Sequence, residues 1–395
     1  MIRFLINIHM IGWFILSQIG LVTAEPYRPQ DDTQVLERLS FKASDPDTRK
    51  LERLRAELRQ DPRNLDSAVK LATRYIEQGR SEGDPRFLGQ AQAILSPWWS
   101  EPSPPPAALL LRATIKQNAH EFDQALADLD QLLATQPTNA QAWLTKASIL
   151  LVQARYDEAR RACQRLARLA ASHVLIGCLS DIAGVTGQSA RSRQLLREVL
   201  SNPDIVRRER VWIATILAEI AARVGAIREA EQSFSEAFKV GIKDQYLLGA
   251  YADFLLDQQR YQDVIFLLHS ETRADGLLLR LAIAEQGLKL PTFEDHTAEL
   301  LARFAASRER GTSVHVREEA WFTLALLHDV TRALPLAQAN WAVQREPADA
   351  RILLESAVAA RNRAAAKPAI DWLNHNHVED FRLRQLAQQI QEVAF

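Results

Sequence analysis

The chain has 395 residues, and 48 Lys and Arg against 49 Asp and Glu leave a net charge of −1, without the basic surplus of a general nucleic-acid binder. Gly is only 14 residues while Ala is 58, a balance that favours helix and argues against a β-sandwich, a barrel or a Gly-rich nucleotide-binding unit. At 47% hydrophobic and 25% charged residues, the composition is that of a folded chain.

At the N-terminus, Arg3 supplies one positive charge and Phe4–Val22 is mostly apolar, interrupted by Asn7, His9, Ser17 and Gln18. Val22-Thr23-Ala24 is a small-residue site before Glu25-Pro26. This is the order of a secretory signal peptide, residues 1–24, cleaved after Ala24. The alternative is an uncleaved N-terminal anchor, because the apolar stretch approaches the ~20 residues that span a bilayer. The polar interruptions and Ala24 favour cleavage. Either way the body is expected to be exported, and periplasmic if the source is a Gram-negative bacterium. Residues 25–48, with Pro26, Pro29 and Pro46, read as a loose leader with a short helix at Thr33–Leu39.

Residues 49–100 read as a first irregular helix-pair unit, carried by Leu71-Ala72, Tyr75, Ala91 and Leu95. Ser96–Pro106 holds five prolines and is expected to be a non-helical connector, its Pro-rich part at residues 101–106. Trp98 and Trp99 beside it are either core or an exposed apolar lip. From Pro106 a regular register begins. Leu109, Ala113, Phe122, Ala125, Leu129 and Leu132 recur 34 residues later as Trp143, Ala147, Tyr156, Ala159, Cys163 and Leu166. A second pair repeats it: Leu217, Ala218, Ala221, Ile227, Ala230, Phe234 and Ala237 become Tyr251, Ala252, Leu255, Tyr261, Val264, Leu268 and, as the one departure, Glu271. Small residues recur where two antiparallel helix backbones cross closely, and the apolar stripe faces the partner helix. Each hairpin buries only part of its apolar face, and stacking completes the core. Residues 107–275 are therefore read as a regular array. Residues 276–395 are read as irregular units and a closing helix at Phe381–Val393, with a domain boundary expected near Gly276–Gly311.

Phe122-Asp123-Gln124-Ala125-Leu126 with Pro137, Tyr156-Asp157-Glu158-Ala159, and Trp143 with Ala147 resemble the tetratricopeptide repeat (TPR) family. The resemblance extends over roughly residues 50–395, as in exported bacterial proteins of this type. It implies an all-α fold: a TPR-like α-solenoid of eight or nine antiparallel helix hairpins in a right-handed superhelix. It also implies a concave groove lined by the first helix of each hairpin. By that rule the groove residues are Leu110, Thr114, Gln117 and Asn118; Gln141, Leu144 and Ser148; Trp212, Thr215, Glu219 and Arg223; and Tyr246, Asp253 and Asp257. Trp212 and Tyr246 are equally well read as packing. Some members of the family grip a C-terminal carboxylate with Lys and Asn, but Thr114 and Ser148 stand where Asn is needed.

Cys163 and Cys178 lie 15 residues apart. Export permits a disulfide, but two buried free thiols are the favoured reading. No nucleophile elbow, zinc-protease, C-x-x-C or P-loop motif is present, so no catalytic residue is assigned. Asp371, His375, His377, Glu379 and Asp380 form a weak metal candidate, as do His296, Glu294 and Asp295 still more weakly; the favoured reading of His375 and His377 is a loop without metal. The expectation is thus an exported, non-catalytic scaffold that binds a protein or peptide in the groove, with no cofactor, nucleic acid or small-molecule substrate. Loss of charge at Arg223 or Asp253 is expected to weaken binding without unfolding. The alternative is an envelope assembly factor that associates with membrane or cell wall.

Overall fold

In a computed structural model that describes residue 31, residues 46–310 and residues 315–392, the chain is all helix: 21 α-helices and no strand among the described residues. The signal-like segment, the leader helix at Thr33–Leu39 and Val393 lie outside them. None of the described helices is long and apolar enough to cross a membrane. The chain divides into residues 1–42, of which only Asp31 is described, and residues 43–395, whose described residues form the solenoid.

A lead helix, α1 (Pro46–Gln60), precedes nine hairpins. They are α2 (Leu65–Glu82) with α3 (Arg86–Ile94), then, after the single turn α4 (Ser96–Trp99), α5 (Pro106–Asn118) with α6 (Phe122–Thr135) and α7 (Ala140–Val152) with α8 (Tyr156–Arg165). There follow α9 (Ser172–Gly184) with α10 (Ser189–Leu200), α11 (Arg207–Arg223) with α12 (Ile227–Lys239), and α13 (Gln245–Asp257) with α14 (Tyr261–Leu268). The last are α15 (Asp275–Leu288) with α16 (Thr292–Glu309), α17 (Val316–Ala325) with α18 (Val330–Val343), α19 (Pro347–Ala359) with α20 (Arg363–His375), and the closing helix α21 (Phe381–Glu392). The 34-residue register has its expected cause. Ala113, Ala125, Ala159, Ala218, Ala230 and Ala252 are fully buried where helices cross, while Leu129, Leu132 and Phe234 fill the space between. Burying each of these large side chains is worth roughly 1.5–3 kcal/mol.

The turn inside seven of the hairpins is one motif that the sequence did not announce. The first helix ends on a left-handed residue: His120, Ala154, Gly187, Gly225, Gln259, Lys289 or Arg361, with φ between 51° and 75°. The next residue's N–H returns to the carbonyl five positions back, as from Arg155 to Leu150 at 2.8 Å and from Ala226 to Ala221 at 2.8 Å. This Schellman closure satisfies helix-terminal carbonyls and turns the chain in two or three residues. Only two of the seven left-handed residues are glycine. Gly187 has a second reason to be one, because a Cβ there would stand 2.9 Å from the Cβ of His377.

Three expectations need correction. Ser96–Trp99 is a helical turn, with Pro97 in its first turn where a missing N–H costs nothing. Its tryptophans are no lip: Trp98 is 5% exposed and packs with Leu95, Leu111 and Ile115, and Trp99 is half-buried. The segment is held from below by Arg112, whose Nη1 donates to the carbonyls of Trp99 at 2.6 Å and Glu101 at 3.2 Å. Its other face pairs side-on with Asp128, at 2.6 and 2.9 Å, and Lys116 donates to the same carboxylate at 2.9 Å. Second, Cys163 and Cys178 are not free thiols. They form a disulfide, with Cα atoms 5.8 Å apart, that staples α8 to α9. Third, packing is unbroken where the register slips: Phe304 of α16 lies 5.3 Å from Phe322 of α17, ring to ring, in one continuous core.

The array also winds far enough to meet itself. The indole N–H of Trp372 in the ninth hairpin donates to the Tyr156 hydroxyl in the third, at 2.9 Å and buried. The Arg345 N–H donates to the Val152 carbonyl at 2.8 Å, and the Ser189 N–H to Glu379 at 2.8 Å. At the other end, Gly83 after α2 tucks under Ala274, where a Cβ would stand 2.6 Å away, and Gln245 donates to the Ser81 carbonyl at 3.3 Å. The first helices of the later hairpins consequently face α21 across a partly open space.

Candidate functional site

The structure separates the groove residues into two places. The first is the open face of α5 and α7. Asn118, Gln141 and Ser148 are exposed there, Gln117 reaches Ser148 at 3.4 Å, and Thr114 donates to its own helix at the Leu110 carbonyl. Leu110 and Leu144 are half-buried against the core and serve packing.

The second place is a chamber of about 170 Å³ lined from α11, α12, α13, α15, α17, α19 and α21. It brings together Glu219, Arg223, Asp253 and Asp257 and adds residues that the groove rule did not reach. Arg280 of α15 grips Asp253 side-on at 2.6 and 2.7 Å while its guanidinium lies over the Trp321 ring. Arg351 of α19 donates to Asp257 at 2.7 Å, and Arg382 of α21 closes on the same carboxylate. Burial holds the Arg382 guanidinium down to about 10, against the pull of Asp253 upward. Apolar walls come from Phe234, Phe254 and Ile352. Asp253 and Asp257 thus tie α13 to α15, α19 and α21, so altering either charge also disturbs packing. Repeat position flagged both carboxylates, but their partners lie 27 or more residues away, and no local pattern reveals them.

Tyr246 of α13 stands apart. Its ring is 61% exposed, yet its hydroxyl donates to both Glu219 oxygens, at 2.9 and 3.1 Å. Trp212 is different: it is half-buried and lies against Gly177 of α9, where a Cβ would sit 2.8 Å from its ring. Thr215 is misplaced by the groove rule. It is 3% exposed and donates to the Val211 carbonyl, because it shares the inward stripe of Val211 and Ala218.

Burial dominates the titration of the acids near the chamber. It pushes the Asp181 carboxyl up to about 6 and the Glu219 carboxyl up to about 7, against the opposing pull of Arg223. Glu346, at the start of α19, is pushed up to about 7 by burial, partly offset by Arg317.

The weak metal candidates do not assemble. Asp371 pairs with Lys367, Glu379 accepts the Ser189 N–H, and Asp380 caps α21 through the N–H groups of Arg382 and Leu383. His375 and His377 are exposed, and no group of three or more His, Cys, Asp or Glu side chains among the described residues is arranged to hold a metal. His296 pairs not with Glu294 or Asp295 but with Glu285, at 2.7 Å.

One family model agrees with the helix-pair geometry. The tetratricopeptide repeat family model matches residues 118–173, which span the second helix of one hairpin and the whole of the next. No curated protein matches the chain. Among solved structures, the chain is similar to the APC/C Cut9–Hcn1 hetero-tetramer at 16% identity, over 82% of this chain and 52% of that one, with a TM-score of 0.40. It therefore spans about half the length of that chain. It is similar also to a tetratricopeptide repeat protein from Parabacteroides merdae ATCC 43184, at 15% identity over 72% and 98% of the two chains, with a TM-score of 0.31.

Proposed function

We propose that this tetratricopeptide repeat protein is an exported, non-catalytic scaffold that holds a partner protein or peptide on its concave side. The observation that carries the reading is Tyr246. A largely exposed aromatic side chain on an inner helix lies outside the apolar core, and the Tyr246–Glu219 bond fixes its direction before any partner arrives. Large aromatics of this kind, fixed in advance, dominate interface energies at low entropic cost. The open row of Asn118, Gln141 and Ser148 offers polar groups to an extended segment beside it. The family match and the lack of a catalytic motif support a binding role over an enzymatic one. Export is supported by the charge, apolar and small-residue order of residues 1–24, and by the disulfide, which persists in oxidising compartments.

Capture by the tagged protein from its native envelope fraction tests the reading. One stoichiometric polypeptide, retained by the parent and lost with Tyr246→Ala at unchanged helicity, is the expected result. Equal capture by the parent and the variant removes the concave assignment. Mass spectrometry of the mature chain should find Glu25 at its N-terminus; a chain still beginning at Met1 refutes cleavage.

A further inference from the structure

A charge inventory of the chamber leaves one open valence. Asp253, Asp257, Glu318 and Glu355 each hold an arginine. Glu219 accepts the Tyr246 hydroxyl, and Asp380 accepts backbone N–H groups. Arg280, Arg317, Arg351 and Arg382 are all paired with carboxylates. Arg223 is not. Its Nε and Nη2 are buried without a hydrogen-bond partner, lying along α9 where a Cβ on Gly184 would stand 3.4 Å from Nη2.

Such an omission needs a cause, because a guanidinium cannot shed its proton and a buried ionised group is normally paired. The nearby carboxylates Asp181, Glu219 and Asp380 act on Arg223 through space, without a hydrogen bond. Burial pushes all three carboxyls up, Glu219 to about 7, so they compensate the cation incompletely near neutral pH. The free Nε–Nη2 edge is the one that takes a carboxylate through two parallel hydrogen bonds. The adjoining walls, Phe254, Trp321 and Ile352, are apolar and suit a short carbon stem.

We infer that the chamber is an acceptor site for a carboxylate group, held by the Nε–Nη2 edge of Arg223 after a small turn of its side chain, with the carbon stem of the ligand against the apolar wall. The group comes either from a free small carboxylate or from an Asp or Glu side chain of a bound polypeptide; the second source rests on the scaffold reading, and the first does not. The site lies on α11, away from Thr114 and Ser148 on α5 and α7.

Titration calorimetry of the purified protein at pH 7 tests this with two probes. One is succinate. The other is an acetylated, amidated Asp-Glu tetrapeptide, with the Asn-Gln tetrapeptide as its control. The expected result is binding of at least one acidic probe, none of the control, and a loss of at least about tenfold with Arg223→Gln, the scale of one charge-assisted hydrogen bond. Succinate binding alone identifies a free carboxylate; tetrapeptide binding identifies a polypeptide side chain. No binding of either acidic probe by the parent overturns the inference, as does equal binding by Arg223→Gln. If Arg223→Gln is misfolded by circular dichroism, Glu219→Gln decides. Removing that competing carboxylate should tighten binding several-fold, and an unchanged or weaker affinity overturns the inference. Capture of a partner by the parent and by Arg223→Gln alike, with neither acidic probe bound, would leave the scaffold standing without the carboxylate site. Probe binding without any captured partner would do the reverse.

Discussion

Asp128→Ala should be among the most damaging single substitutions in the molecule. Asp128 is buried and holds two cations, the side-on guanidinium of Arg112 and the ammonium of Lys116. Removing it leaves both charges inside without a counter-ion. Loss of one partner from a buried pair typically costs about 3–5 kcal/mol, because the other charge is stranded rather than merely unbonded. Against a total stability of about 5–15 kcal/mol, that is a large share. The damage should also have an address. Arg112 fixes the carbonyls of Trp99 and Glu101, so a displaced guanidinium frees the stretch between α4 and α5. Urea unfolding monitored by helicity should therefore show the loss, and chymotrypsin should cut after Trp99 in the variant under conditions that spare the parent. A variant that loses less than about 1 kcal/mol, and is cut no faster, would refute the idea that this carboxylate is desolvated and structural.

Further outcomes follow from features already described. Ala154→Gly relieves a left-handed alanine at φ 58° and should stabilise the protein by roughly 0.5–1 kcal/mol, seen as a raised Tm; no gain would mean that the alanine methyl makes contacts worth as much as the strain. Replacing Cys163 and Cys178 together by Ser removes a cross-link between residues 15 positions apart and should cost about 3 kcal/mol, with reductant lowering the Tm of the parent but not of the variant. Glu219, pushed up to about 7 from an ordinary carboxyl value near 4.5, binds its proton more tightly in the folded state, so stability declines as pH rises through that interval. Glu219→Gln should match the parent in Tm near about pH 4 and exceed it by about pH 8; a Tm difference independent of pH would show that the carboxyl titrates normally.

The helix pairs were legible in the sequence because their cause is local. Ala113 and Ala147, or Ala125 and Ala159, must be small for the same reason at the same spacing, and the repeat makes that reason visible twice. The disulfide was not legible, because 15 residues of separation fix neither the distance nor the direction of two side chains. Thr215 was misassigned because a groove rule by position ignores which stripe the helix turns inward, and Thr215 falls on the buried stripe of Val211 and Ala218. The pairing of Trp372 with Tyr156 lay furthest out of reach. It joins residues 216 positions apart and arises from the sum of small rotations between successive hairpins, none of which leaves a mark in any one of them.

That same closure changes what kind of object the solenoid is. An open array of hairpins behaves as a spring, whose coils part under small forces and whose end units fray independently. Here the third hairpin is fastened to the ninth through Tyr156 and Trp372 and to the link before it through Val152 and Arg345, and the first hairpin is pinned against the sixth through Ser81 and Gln245. Stretching the coil would break these fastenings before it opened the chamber. These bonds oppose widening of the inner surface. If the proposed binding holds, a clasped coil of this kind would select its guests by the size and charge of a protruding group, where a pliant one would mould itself to whatever it met.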